Sequence, residues 1–346
     1  MPKPLKALFI IGLLLVPYYV VFPLNLINFN LGLVNWVILI KCLKSFNIDK
    51  GDPLKNIMYT LKDLRLKKYD TKKKKELEKG FRYLSKLSQV LLMAAPYFAG
   101  LVSMIYAESK YNEILNVANI SKLTGIAYFY RSLFCTLFYG IFISIMVQLF
   151  FFVMALLYIH LSQLCFFLAA FSSLISERAS TFFLEFAYEV GDQRPYYQFN
   201  NPLFITDIST FWSVSWHSML VDIFVVVPKD VYRSSGKLTK KFIAMSAFFF
   251  SGLFHDYPII ATKQEISTES IKFFGLQGLA MLFETLVFAV FPKKGNIGKY
   301  FGIVFGNLVM IYTVHIFIKP IQDMKMMDEG YFLLFELPHK LGALVK

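Results

Sequence analysis

Long apolar runs alternate with short charged segments along the chain, and this alternation predicts membrane-spanning helices. Runs of about 20 apolar residues are long enough to cross roughly 30 Å of hydrocarbon. Six such runs occur, at residues 5–22, 24–40, 87–107, 242–261, 273–292 and 301–319. In lipid, a helix satisfies all its backbone polar groups within one segment. We therefore predict an all-α, multi-spanning fold with about seven to nine transmembrane helices and further helices at the interface.

A longer apolar run, from Ser132 to Ser176, carries no charge between its ends. One helix of that length would measure roughly 67 Å at 1.5 Å per residue, more than twice the thickness of the hydrocarbon. We therefore expect more than one element here, either two crossings or one crossing and an in-plane helix. Hydropathy leaves this choice open, and counting the spans between basic segments slightly favours the second arrangement.

Charge is gathered between the apolar runs, which indicates how the chain is oriented in the membrane. The net charge is +13, the chain is 56% hydrophobic, and residues 41–86 hold a lysine-rich stretch. Because positive loops stay in the cytosol, residues 41–86 are predicted to be a cytosolic insertion and residues 108–125 a lumenal loop. The basic charge points to anionic lipid rather than nucleic acid. No repeat or linker divides the chain, so residues 1–346 are predicted to form a single membrane domain.

Three cysteines, Cys42, Cys135 and Cys165, lie in or beside apolar runs. They have no CxxC spacing and no nearby histidines at metal-ligand spacing. We predict neither a disulfide framework nor a metal site.

A histidine and a carboxylate, His255 and Asp256, lie inside the fourth apolar run, where polar groups are costly and suggest function. Ser251 lies four residues before His255 and so shares its helix face, where it is placed to bond the ring or a substrate. Gly252 permits close approach of another backbone, and Pro258 is expected to kink or end the helix. Histidine suits general base catalysis because its unperturbed pKa lies near neutrality. A structural histidine, hydrogen-bonded across the bundle, is the alternative.

A second constellation lies some 40 residues earlier, where residues 211–217 read Phe-Trp-Ser-Val-Ser-Trp-His. Asp207 is predicted to cap a helix on which Trp212 and Trp216, four residues apart, share one apolar face. Tryptophan favours the headgroup level of a bilayer. This pattern predicts an amphipathic helix at the membrane surface, with His217 pointing to a different side.

Together the two segments resemble the wax synthase branch of the membrane-bound O-acyltransferase family. The resemblance rests on Phe-Trp-x-x-x-Trp-His, followed by Ser-Gly-Leu-x-His and by Phe-Phe-Gly-Leu-Gln-Gly-Leu at 273–279, and it covers residues 196–290. By this likeness His255 takes the place of the family's intramembrane catalytic histidine. His217 takes the cytosol-side position that is asparagine or histidine across the family. The chain departs from many wax synthases at Asp256, where they carry glutamate.

The resemblance implies an acyltransferase of the endoplasmic reticulum that joins acyl-CoA, as co-substrate, to a long-chain fatty alcohol without a further cofactor. His255 is then the general base, and His217 binds the thioester carbonyl. The residues expected to contact substrate are Trp212, Trp216, Ser251, Asp256, Gln277 and Glu284. Gln277 and Glu284 share a helix face, where they either line the path of the alcohol or make hydrogen bonds between helices. The sequence leaves the oligomeric state open.

Three alternatives remain at this stage. The acceptor is a sterol or an acylglycerol in the first. The second is a transporter whose intramembrane His255, Glu284 and His315 relay protons or bind a solute. The third is a family member without activity that binds lipid or acts as a scaffold.

Overall fold

The computed structural model describes residues 3–25, 27–33, 35, 39, 83–120, 122–172, 176–191, 199, 205–216, 239–338 and 340. Every regular element in this part of the chain is helical, as predicted. In chain order the helices are α1 (Lys3–Tyr19), α2 (Tyr83–Leu115), α3 (Val117–Ile120), α4 (Gly125–Ser172), α5 (Glu177–Gly191), α6 (Ile208–Thr210), α7 (Thr239–Lys263), α8 (Glu269–Val290), α9 (Asn296–Asp323) and α10 (Met326–Tyr331). Single π-helical turns follow α6, at Phe211–Ser215, and α10, at Phe332–Glu336.

Five helical stretches are long and apolar enough to cross a membrane, judged by length and composition: Leu87–Ile120, Gly125–Phe171, Ile243–Lys263, Glu269–Val290 and Asn296–Asp323. They contain the predicted spans that begin at residues 87, 242, 273 and 301 almost entirely. The first predicted span corresponds to α1, whose apolar part is shorter. These helices support an integral membrane protein. The expected total of about seven to nine crossings stays a prediction, because residues 41–82 and 217–238 lie outside the described part.

The long apolar run forms a single helix, so the prediction of more than one element between residues 132 and 176 is wrong. Helix α4 runs unbroken for 48 residues, from Gly125 to Ser172. At 1.5 Å per residue it measures about 72 Å, more than the hydrocarbon thickness. The expected break was argued from length relative to a bilayer, but no proline interrupts the helix and it continues through Gly140.

The segment between α2 and α4 is also more helical than expected. Residues 108–125 were predicted to be a loop, yet α2 continues to Leu115 and α3 follows at Val117–Ile120. Tyr111 alone departs from helical dihedral angles, with φ −113° and ψ 23°. The loop prediction is therefore wrong for most of its length, because the polar residues here occupy the end of a helix instead of breaking it.

The chain divides into two compact units by its internal contacts. One comprises Met1–Asn47, Val102–Ile143 and Phe199–Lys346, and the other comprises Ile48–Leu101 and Ser144–Gln198. In the second unit Val90 packs with Phe152 in an apolar cluster, and the Ser162 hydroxyl donates to the carbonyl of Ala187 at 2.8 Å. The predicted site residues belong to the first unit. The single-domain organisation stays a prediction.

Helices α7, α8 and α9 follow one another through short connections and pack side by side in the first unit. Gly252 lets α7 and α8 approach closely, since a Cβ at this position would lie 2.7 Å from the Cα of Ile271 on α8. Gly278 of α8 lies against Met245, whose sulfur would be 3.1 Å from an added Cβ. The glycine in the histidine's span therefore admits another backbone, as predicted.

Prolines inside α1 and α7 have different consequences. Helix α7 continues through Pro258, so it does not end there as the sequence allowed. In α1, Pro17 lacks the N–H that would bond to the carbonyl of Leu13. The side-chain amide of Asn35 donates to that carbonyl instead, and also to the hydroxyl of Tyr257 at 2.8 Å. The freed carbonyl thus ties α1 to the part of α7 that carries the histidine.

Candidate active site

The ring of His255 lies in apolar surroundings formed by phenylalanines of three helices. It stacks on Phe274 of α8, with 4.9 Å between ring centroids and 28° between planes. Phe317 of α9 meets it nearly perpendicularly at 5.1 Å and 75°, and Phe254 of its own helix at 5.0 Å and 80°. The side chain is half-buried. These contacts exclude water from much of the ring while leaving part of it open.

A local hydrogen bond determines which nitrogen of His255 is available for chemistry. Nδ1 lies 2.7 Å from the main-chain carbonyl oxygen of Ser251. A carbonyl oxygen can only accept, so Nδ1 donates and carries the proton of the neutral ring. Nε2 is left with its lone pair, and no described residue hydrogen-bonds to it. Ser251 therefore reaches the ring through its main chain, where the sequence suggested a side-chain contact.

Asp256 is buried, and its carboxylate binds the first turn of α8. One oxygen accepts the main-chain N–H of Ser270 and the other that of Ile271, each at 3.0 Å. The hydroxyl of Ser267 lies 3.4 Å from the first oxygen. First-turn N–H groups lack acceptors within their helix, and a negative charge beside them is favourable. These bonds explain the burial of Asp256 without a ligand, and its contact with substrate stays a prediction.

The tryptophan motif begins in a short, irregular segment, residues 205–216. Asp207 caps α6 as predicted, because its side chain accepts the main-chain N–H of Thr210 at 2.8 Å. A π-helical turn follows, and Trp216 is already extended, with φ −104° and ψ 119°. The expected continuous amphipathic helix is therefore wrong. Trp212 and Trp216 still contact each other, at 6.4 Å between ring centroids, and Trp212 also packs against Phe274 at 5.3 Å.

A buried carboxylate of α8 and a half-buried amide of α9 hold the beginning of this segment. Glu284 of α8 accepts the main-chain N–H of Ile208 at 3.0 Å and that of Ser209 at 3.3 Å. Asn307 of α9 donates to the carbonyl of Ile205 at 2.8 Å. Glu284 thus makes a contact between elements, one of the two roles that the sequence left open for it. Its place on the path of an alcohol stays a prediction.

Lys293, just beyond α8, forms an ion pair with the carboxylate of Asp207 that caps α6. Its ammonium lies 2.7 Å from an Asp207 oxygen and 2.7 Å from the hydroxyl of Thr210. Burial alone would raise the pKa of Asp207, but the hydrogen bonds from Lys293 and from Thr210 outweigh it and hold that pKa below its ordinary value. Asp207 is therefore a charged cap at neutral pH.

Glycines of α9 lie against the same segment, and these glycines were not predicted as part of the site. Gly298, Gly302 and Gly306 are four residues apart and share a helix face. A Cβ at Gly302 would lie 2.8 Å from the carbonyl oxygen of Thr206, and one at Gly306 would lie 2.8 Å from the Cγ2 of Ile205. The Gly-x-x-x-Gly-x-x-x-Gly spacing is the signal that predicts such close packing in a membrane helix.

Gln277 of α8 connects the tryptophan segment to α9. Its Oε1 accepts the indole N–H of Trp212 at 3.3 Å, and its Nε2 donates to the hydroxyl of Thr313 at 2.8 Å. The Thr313 hydroxyl in turn donates to the carbonyl of Val309 at 2.7 Å. This is the hydrogen bond between helices that the sequence allowed for Gln277, and the contact with substrate stays a prediction.

Phe274 joins the two sequence motifs in space, because both His255 and Trp212 pack against its ring. Phe274, Phe317 and Thr313 were not predicted as site residues. Thr313 and Phe317 are four residues apart on α9, so they share the face that contacts α8 and α7. That spacing is a weak signal, since phenylalanine is abundant throughout this chain.

Other predicted residues lie apart from this arrangement or outside the described residues. His217 belongs to residues 217–238, which lie outside the described residues, so its predicted role at the thioester carbonyl stays a prediction. Nδ1 of His315 lies 3.5 Å from the hydroxyl of Tyr128 on α4. His315 is two residues from Phe317, about 200° round the helix, and so points away from His255.

Among the residues that the structure describes, no group of three or more His, Cys, Asp or Glu side chains is placed to hold a metal ion. The site is thus characterised by one histidine, aromatic rings and buried hydrogen bonds between helices.

Residues 195–276 match the model of the membrane bound O-acyl transferase family. The matched stretch is less than a quarter of the 346 residues and contains both histidine motifs, whereas Gln277 and Glu284 lie beyond it. No curated protein and no solved structure gives a match. The match supports a relation to the membrane-bound O-acyltransferases over this stretch. It does not single out the wax synthase branch.

Proposed function

We propose that the protein transfers a fatty acyl group from acyl-CoA to the hydroxyl of a long-chain alcohol, forming a wax-type ester in the endoplasmic reticulum. The observation that carries this proposal is the orientation of His255. Its Nδ1 donates to the Ser251 carbonyl, so Nε2 presents a lone pair in apolar surroundings. A base is the group that an alcohol needs in order to attack a thioester.

In the proposed reaction, Nε2 of His255 takes the hydroxyl proton as the alcohol oxygen attacks the thioester carbonyl. The carbon–sulfur bond breaks, the acyl group becomes the ester, and the coenzyme A thiolate receives the proton from the imidazolium. Because the thioester is already activated, holding the two substrates in line lowers much of the barrier and no covalent intermediate with the protein is needed.

The aromatic rings around His255 favour a lipid acceptor. Phe274 and Phe317 pack on the His255 ring and Phe273 packs against both of them, so the surroundings of the ring suit an alkyl chain better than a polar acceptor. His217 is proposed to donate a hydrogen bond to the thioester carbonyl as negative charge develops there. Lys229 and Arg233 are proposed to attract the phosphates of coenzyme A.

A sterol or acylglycerol acceptor is the alternative within the same chemistry. A transporter that relays protons through His255, Glu284 and His315 is the alternative outside it. Two contacts weigh against that relay. Glu284 is occupied by main-chain N–H groups of α6, and His315 points away from the His255 ring.

The test uses microsomes that contain wild type or His255→Ala, supplied with labelled acyl-CoA and a primary fatty alcohol, a sterol or a diacylglycerol. We expect the wild type to form ester with the fatty alcohol, and His255→Ala to form it about 10²- to 10⁴-fold more slowly. If ester forms on the sterol or the diacylglycerol instead, the proposed acceptor is wrong and the proposed mechanism stands. Absence of any ester, or full activity of His255→Ala, would overturn the proposal.

A further inference from the structure

Gln277 is a polar side chain with about 1% exposure inside a membrane helix, and both ends of its amide are engaged. The indole N–H of Trp212 can only donate, so the amide oxygen must face Trp212 and the amide nitrogen must face Thr313. An indole N–H or amide without a partner is costly in apolar surroundings. The pair therefore has one strongly preferred arrangement.

The hydrogen bond between Trp212 and Gln277 also bears on the rings of Phe274 and His255. Trp212 packs on Phe274 at 5.3 Å with 58° between the ring planes, and Phe274 stacks on His255 at 4.9 Å. Apolar contact alone is not directional, so it leaves an indole free to turn between several packings. The bond from Gln277 removes that freedom and fixes the ring against which Phe274 rests.

We propose that Gln277 is a positioning residue that holds Trp212 in place, so that Phe274 keeps the His255 ring in its reactive orientation. This inference rests on the proposed function and assigns Gln277 and Trp212 a role without substrate contact. A base must be held within a fraction of an ångström of its productive place, which explains a costly amide at this depth.

The first experiment compares Gln277→Met, Trp212→Phe and their double variant in detergent-purified, monodisperse protein. Gln277→Met keeps length but removes both hydrogen bonds, and Trp212→Phe keeps a ring but removes the N–H. We expect each to lower kcat by about 10- to 100-fold while KM for acyl-CoA changes less than about two-fold. The double variant should be no slower than the slower single variant, because each single variant already removes the hydrogen bond between Trp212 and Gln277.

Two further variants separate positioning from general stability. Gln277→Glu keeps the acceptor for the indole and should restore most of the kcat that Gln277→Met loses. Thr285→Val is the matched control, since this exposed hydroxyl of the same helix donates to the main-chain carbonyl of Met281 at 2.8 Å. It should leave kcat unchanged.

A measurement without substrate completes the test. The chain has three tryptophans, so the emission of Trp212 is obtained as wild type minus Trp212→Phe, and the same difference is taken in the Gln277→Met background. We expect the Trp212 emission to shift in Gln277→Met and to be restored in Gln277→Glu.

The outcomes distinguish the two proposals. Absence of ester in the wild type overturns the proposed function and this inference with it. If the wild type is active, three results would overturn this inference alone. These are additive losses of kcat in the double variant, an unchanged kcat in Gln277→Met, and a rise in KM without a fall in kcat. Gln277 would then be inert or in contact with substrate. Trp212 emission unchanged by Gln277→Met also overturns it.

Discussion

His255 and His160 make the same local hydrogen bond in two different regions of the molecule. Nδ1 of His255 on α7 and Nδ1 of His160 on α4 each lie 2.7 Å from the carbonyl oxygen four residues earlier. His160 is exposed, whereas His255 is half-buried against Phe274 and Phe317. The helix itself therefore sets the tautomer of the imidazole in both places. At His255, Phe274 of α8 and Phe317 of α9 also pack against the ring.

The comparison separates what makes a histidine available as a base from what makes it useful. The bond to the preceding turn sets the tautomer at either position. Aromatic walls and exclusion of water are added by α8 and α9 at His255. The four predictions that follow test whether these surroundings, and the contacts that assemble them, account for the difference.

The largest effect is expected from exchanging each histidine for asparagine. The asparagine amide can still donate to the carbonyl four residues earlier, but it has no basic nitrogen. His255→Asn should lower ester formation by about 10²- to 10⁴-fold, and His160→Asn should stay within about two-fold of wild type. Initial rates per amount of folded protein measure both. Equal loss at the two positions would mean that the surroundings of His255 have no special role.

A methyl group at Gly252 should disturb the packing of α7 on α8. An added Cβ would meet the backbone of Ile271 at 2.7 Å, and backbone cannot move aside cheaply. Gly252→Ala should lower the free energy of unfolding by about 1–3 kcal/mol. Gly275→Ala on α8 is the matched control: its Cβ meets nothing within 4 Å, so it should gain about 0.5–1 kcal/mol. Thermal unfolding in detergent measures both, and a stable Gly252→Ala would contradict the close packing.

Asp256→Asn should have a smaller effect on stability. The asparagine oxygen can accept one of the two N–H groups of Ser270 and Ile271, and its NH₂ group faces the other. We expect a loss of about 1–2 kcal/mol in the free energy of unfolding. Glu269→Gln, in the same first turn but exposed, should change stability by less than about 0.5 kcal/mol. An Asp256→Asn variant as stable as Glu269→Gln would show that the carboxylate does not join the helices.

The smallest effect concerns pH and the cap of α6. The pKa of Asp207 is held below its ordinary value in the folded protein, so the unfolded chain binds its proton more readily. The stability it contributes is therefore complete above the unfolded pKa of about 3.9 and is lost as pH falls below it. Asp207→Asn should flatten the acid side of the curve of unfolding temperature against pH, with a change at neutral pH below about 1 kcal/mol.

An acid dependence that is identical in wild type and Asp207→Asn would contradict the charged cap.

Local features of the fold were predictable from the sequence. Asp207 caps α6 because its partner is three residues away, and Gly252 admits a close neighbour because it has no side chain. Prediction failed where length or distant contacts decided the outcome. The run in α4 was expected to break because it exceeds a bilayer in length, and it continues as one helix. Glu284 bonds to a segment 76 residues away, which no periodicity reveals.

The sequence by itself determined that the chain is helical and apolar enough for a membrane, and that His255 stands within a span, one helical turn after Ser251. These follow from hydropathy and from the geometry of one helical turn. Only the tertiary structure decided that Phe274 and Phe317 pack on the ring, and that Trp212 packs on Phe274 and donates to Gln277. Such contacts join residues far apart in the chain, and they depend on how helices pack rather than on the spacing within any one of them.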